Sequence, residues 1–202
     1  MRRLLGKPEW LSFMVIGIAS GLSLASMNYL FPYLSELGAS ESLMGVTLTV
    51  GTVVELPLML FADRILRRFS AFRLLIFSML MMGLRLLLMA AATGPAWILA
   101  TQTLNIASFP LMWVAGVSYA NALAPDGMKA TGQGLLASSV NGIGMAIGGF
   151  IGGPLLVSLG GRGLYFVFGG IVIVLISSVV LMNRHGFGDT QRNSATQMSS
   201  ML

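Results

Sequence analysis

Long apolar runs, each closed by a few turn-forming or charged residues, set the pattern of this chain. A helix needs about 20 predominantly apolar residues to cross a bilayer core. Six stretches reach that length, at roughly 11–34, 41–62, 73–93, 96–122, 130–157 and 163–182. The breaks carry the chemistry that turns a chain: Gly38-Ala39-Ser40, Asp63 to Arg73, Thr93-Gly94-Pro95, Ala124-Pro125-Asp126-Gly127 and Leu159-Gly160-Gly161-Arg162-Gly163. The pattern predicts an all-α integral membrane protein, a six-transmembrane-helix bundle over residues 11–182. Residues 1–10 form an N-terminal segment ahead of it. Residues 183–202 are polar, rich in serine and poor in bulky apolar side chains, and are predicted to be disordered.

Composition supports the membrane reading. Hydrophobic residues make up 55% of the 202 and charged residues only 9%, against about 25% charged in a soluble domain. The mean hydropathy is +0.84. The opening MRRLLGKPEW, basic and then apolar, is built like a signal peptide, but a secretory apolar region spans only about 7–15 residues. This one continues to Leu34 and further runs follow, so it is read as a first transmembrane helix.

Charge then orients the bundle. Arg2, Arg3, Lys7, Arg64, Arg67, Arg68, Arg73, Lys129, Arg184 and Arg192 fall on one side, and only Arg162 on the other. The excess of basic residues marks the cytoplasmic face. Both termini are therefore predicted to be cytoplasmic, in a plasma (inner) membrane. The same clustering at the ends of apolar runs removes nucleic acid as the reason for the net charge of +5.

Two charges break the rule that ionisable groups avoid the bilayer. Glu55 lies eight residues from Asp63 at the cytoplasmic end of the second run, about 12 Å deep at 1.5 Å per residue. Arg85 lies twelve residues from Arg73 in the third, about 18 Å deep. An extended arginine spans the difference. A charge at a helix centre costs about 2.5–3.5 kcal/mol, so each is the natural partner of the other. The pair is either a structural pin between two helices or the charged lining of a wet cavity that meets a solute or a proton.

Polar residues in other runs extend this set. Gln102, Asn105, Phe109 and Trp113 recur at helical spacing in the fourth run, where Pro110 frees a carbonyl. Asn28 and Tyr29 lie near the end of the first. Such residues bind a polar solute, with an aromatic ring stacking on it, or hydrogen-bond neighbouring helices. The face Gly144–Gly148–Gly152 of the fifth run is suited to close helix packing. No enzyme motif is present, and neither cofactor nor metal is expected: there is no cysteine, and the one histidine, His185, lies in the tail.

Several stretches together carry a family resemblance: ELPLMLFADRILRRFS at residues 55–70, KPEWLSF before the first helix, NYLFPYL at its end, LAPDGMKATGQG before the fifth, and IGGPLLVSLGGRGLYF leading into the sixth. The chain resembles the second half of a major facilitator superfamily transporter, over about residues 8–182. The nearest branch by this likeness is the lactose-permease-like one, which also holds nucleoside and aromatic-acid carriers. The resemblance implies a cavity between two six-helix halves and alternating access by rocking. It implies that Asp63, Arg64, Arg67 and Arg68 belong to a cytoplasmic gate motif, and that Glu55 and Arg85 take part in substrate binding and coupling. Where the sugar symporters carry a histidine and a glutamate on the fourth helix, this chain has Asn105 and Ser108. Glu55 is then the one carboxylate left at depth to couple a proton.

The functional expectation is a secondary active transporter, or half of one, for a small polar or amphipathic solute, with a proton as candidate coupling ion. A second six-helix half, whether a missing N-terminal half or another copy, is the expected partner, because six helices alone leave polar faces against lipid. The rival is a non-transporting membrane module, or an inert transporter fragment, that only packs against another protein.

Overall fold

The computed structural model describes residues 8–182, and the expected disorder of 183–202 lies outside the described residues. Five long apolar helices make up this region: α1 (Glu9–Glu36), α2 (Glu41–Arg68), α3 (Ala71–Ala90), α4 (Pro95–Leu123) and α5 (Lys129–Met182). A Ser40 hydroxyl accepts the Leu43 N–H and starts α2, and Pro95 opens α4 where its missing N–H costs nothing.

The last helix is 54 residues long. Straight, it would extend about 80 Å, more than twice a bilayer core. It does not run straight. Gly160 takes φ 67° and ψ −179°, a conformation open mainly to glycine, and the chain reverses there. Gly144, Gly148 and Gly152 advance along α1 past Gly21, Leu22 and Tyr29, whereas Gly161 and Tyr165 return from Tyr33 to Ser26. The Glu36 carboxylate accepts the Gly161 N–H at 2.8 Å and ties the turn to the end of α1.

Helix α1 is the central element, with the largest buried share of the five. At one end of the bundle Trp10, Phe13, Tyr119 and Phe72 form a chain of ring contacts, joining the starts of α1 and α3 to the end of α4. At the other, the Tyr33 hydroxyl donates to Met89 O and the Tyr165 hydroxyl to Ser26 O. Small residues set the tightest crossing. A Cβ on Gly144 would meet Gly21 Cα at 2.8 Å and the Ile18 carbonyl closer still, so backbone touches backbone.

Three helices lose α geometry at one level. In α1, Ser26–Tyr29 is a 3₁₀ turn; in α2, a turn at Val54 separates two α segments; in α4, Gln102–Ala107 is 3₁₀ and Ser108 takes φ −100°, ψ −113°. Each break precedes a proline, Pro32, Pro57 or Pro110, whose missing N–H and ring disrupt the turn before it. Helix α3 passes this level without a break. The fourth run is broken just before Pro110, the proline expected to interrupt it. A further irregular stretch, a π-helix at Ser138–Gly144 in α5, lies against Gly17 and Gly21 of α1.

These contacts predict the outcome of a paired substitution. Gly144→Ala should lower stability by about 1–3 kcal/mol, the usual cost of overpacking. Gly170→Ala, with nothing within 4 Å of its added methyl, should be neutral or slightly stabilising, and thermal melts in detergent compare the two.

Candidate functional site

The irregular turns surround one side chain. Arg85, on the regular helix α3, is only 5% exposed, and the breaks in α4 and α1 present side-chain acceptors to it. Its Nη1 donates to Asn105 Oδ1 at 2.8 Å and its Nη2 to Gln102 Oε1 at 2.5 Å. Nη2 also approaches the thioether of Met27 in the 3₁₀ turn of α1, at 3.8 Å. Both amides come from the 3₁₀ segment of α4. Residues three apart eclipse one another in that helix, which stacks Gln102 and Asn105 on one face and lets a single guanidinium reach both.

Asn105 also faces α2. Its Nδ2 donates to Gly51 O at 3.1 Å and to Glu55 Oε1 at 2.5 Å. The direct Glu55–Arg85 ion pair expected from depth alone is therefore corrected. The two charges are joined through the Asn105 amide, carbonyl toward the cation and N–H toward the anion. The reason is position: Arg85 forms the inner wall, Glu55 is half-buried at the rim, and the α4 amide fills the gap. Two donors in this group, Arg85 Nε and Gln102 Nε2, are buried without a hydrogen-bond partner among the described residues.

The network lines a cavity of about 200 Å³. Of the residues expected to contact a solute, Glu55, Arg85, Gln102, Asn105 and Phe109 line it. Ser23, one of the polar residues of the first run, also lines it, and Met27, Gly51 and Thr52 join without having been expected. The available signal was the set of prolines at 32, 57 and 110, which mark where backbone and nearby side chains turn inward. Trp113 is absent from the lining and lies behind Phe109, ring centroids 6.0 Å apart. Asn28 is exposed on α1, and Tyr29 points to α5, its hydroxyl donating to Gly149 O at 3.0 Å.

The gate residues Asp63, Arg64, Arg67 and Arg68 are all exposed at the far end of α2. The Arg64 guanidinium lies over the Phe61 ring and that of Arg68 over Phe69. The structure does not bring them to the cavity. Among the described residues, no three His, Cys, Asp or Glu side chains gather as a metal site.

Buried charge on broken helices, bridged by an amide beside a cavity, is an arrangement found where membrane proteins handle polar solutes. A comparison with protein families agrees in kind: the MFS_1 like family model matches residues 1–168. The chain belongs to this family. Among known proteins the chain is similar to maltose permease of Geobacillus stearothermophilus, 30% identical over 176 residues, covering 86% of this chain and 44% of the permease. The uncharacterized transporter YwbF of Bacillus subtilis (strain 168) is 28% identical over 172 residues, covering 83% and 42%. Major facilitator superfamily domain-containing protein 6-like protein A of Xenopus laevis is 27% identical over 146 residues, covering 72% and 24%. The chain thus spans less than half the length of each of these relatives. Five apolar helices and this kinship make it a multi-pass membrane protein of the major facilitator superfamily.

The bridge predicts energetic coupling. In a double-mutant cycle, Arg85→Ala and Asn105→Ala should couple by about 0.5–3 kcal/mol, as contacting residues do. Arg85→Ala with the exposed Asn28→Ala should add to within about 0.5 kcal/mol. Unfolding in mixed micelles measures both.

Proposed function

We propose that this chain works as one six-helix half of a secondary active transporter, moving a small polar solute by alternating access. The observation that carries the reading is the Glu55–Asn105–Arg85 bridge across α2, α4 and α3, lining a cavity at the level where three helices are broken. Buried charge is expensive and persists where it is used or paired. Here pairing is incomplete, since Arg85 Nε and Gln102 Nε2 still lack acceptors. A solute rich in hydroxyl or carbonyl oxygens supplies them.

The breaks serve the same reading. Broken helices expose backbone and side-chain polar groups at the site around which two halves rock in alternating access. Glu55, on the rim, is the carboxylate able to exchange a proton, and its charge state acts on Arg85 through the Asn105 amide. Proton symport is proposed on this basis. The cavity of about 200 Å³ is smaller than the ~300–1,000 Å³ of ordinary ligand pockets. A second half, from another chain or another copy, supplies the opposing wall. With the basic loops inside, both termini face the cytoplasm of a plasma (inner) membrane, and the exposed Asp63, Arg64, Arg67 and Arg68 lie at the cytoplasmic gate.

Uptake of radiolabelled sugars, nucleosides and aromatic acids into membranes carrying the chain and its partner half tests the proposal. At least one solute should be taken up. Glu55→Gln and Arg85→Ala should each abolish that uptake while the protein still inserts. Normal transport by both variants defeats the proposal, and absence of any flux favours the packing module. Crosslinking in native membrane should capture a species larger than the single chain.

A further inference from the structure

At the opposite end of α3 from its basic start lies an open groove of about 580 Å³, lined by Leu87, Ala90, Ala91, Leu159, Arg162 and Phe166 among others. Its walls are the last turns of α3 and the two sides of the Gly160 reversal. It does not communicate with the Arg85 cavity through any shared lining residue. Leu159 is 54% exposed and Phe166 63%, so the groove faces outward, where a multi-pass protein meets lipid.

One charge stands on this apolar surface, and it is held in place. Arg162 Nε donates to Ala90 O at 2.9 Å, satisfying a carbonyl at the end of α3. The two terminal nitrogens of the same guanidinium make no hydrogen bond to any described residue. The result is a fixed fork of N–H donors, the geometry that grips a phosphate. The Glu36 carboxylate at this reversal is engaged by the Gly161 N–H at 2.8 Å. Depth is also marked here: Trp97 is half-exposed and donates from Nε1 to Leu88 O at 2.8 Å, and tryptophan collects at the headgroup level.

We propose that this groove binds an anionic glycerophospholipid, its phosphate on the Arg162 fork and one acyl chain along Leu87, Ala91 and Phe166. Charge complementarity selects the headgroup, and the outward apolar walls select a chain over a soluble anion. A lipid seated there bridges the end of α3 to the return limb of α5.

Native mass spectrometry of the purified chain, loaded with phosphatidylglycerol or with phosphatidylcholine in detergent, tests the site. One phosphatidylglycerol per chain should survive activation in preference to phosphatidylcholine. Arg162→Gln should lower its retention about fivefold, the worth of one basic residue at an anionic surface. Because Arg162→Gln also removes the bond to Ala90, Ala91→Trp is the second variant: it fills the groove, leaves that bond intact, and should lower retention similarly. Equal retention of the two lipids, or unchanged phosphatidylglycerol binding in either variant, overturns the proposal.

Discussion

A guanidinium at membrane depth must be surrounded by acceptors, and much of this bundle is arranged to supply them. Arg85 is almost wholly enclosed at its place on α3, with the cavity as its one approach to solvent among the described residues. Removing one partner from a buried charge costs about 3–5 kcal/mol, which is large against a typical domain stability. Backbone in regular helices has no free carbonyl to offer, so acceptors must come from side chains or from broken turns. Both are present: two amides on the 3₁₀ stretch of α4, and the thioether of Met27 on the 3₁₀ turn of α1. The irregular backbone follows from the prolines after each break, and the side-chain acceptors of Arg85 sit on it.

Asn105 connects this requirement to chemistry. An amide offers an acceptor on one side and donors on the other, and it keeps that polarity at any pH. Placed between Arg85 and Glu55, it separates the charges while letting each respond to the other. A direct ion pair would neutralise both groups. The bridged form keeps Glu55 at the rim and leaves Arg85 Nε and Gln102 Nε2 without acceptors at the wall.

Contacts elsewhere in the bundle hold those positions. Gly21 and Gly144 let α1 and α5 touch at the backbone, and the Gly160 reversal brings Tyr165 back onto the carbonyl of Ser26, next to Met27. That bond anchors the 3₁₀ turn from behind. The Arg85 cavity is held by α3 on one side and by the folded-back α5, acting through α1, on the other.

Some of this was legible in the residues alone. The apolar runs, the depths of Glu55 and Arg85, the membrane class and the glycine face of the fifth run follow from local composition, because hydropathy and helical rise are sums along the chain. Gln102 and Asn105 could be suspected, since polar amides inside an apolar run need a partner. The insertion of Asn105 between the two charges, the inward turn of Met27 and Gly51, and the exclusion of Trp113, Asn28 and Tyr29 from the cavity could not. Each depends on how far three or four helices are rotated and shifted against one another. That is decided by packing between distant residues such as Gly21 and Gly144, and an error of one residue in rotation turns a side chain by about 100°. Composition along the chain thus determined that a charge would be buried, and only tertiary packing decided which atoms meet it.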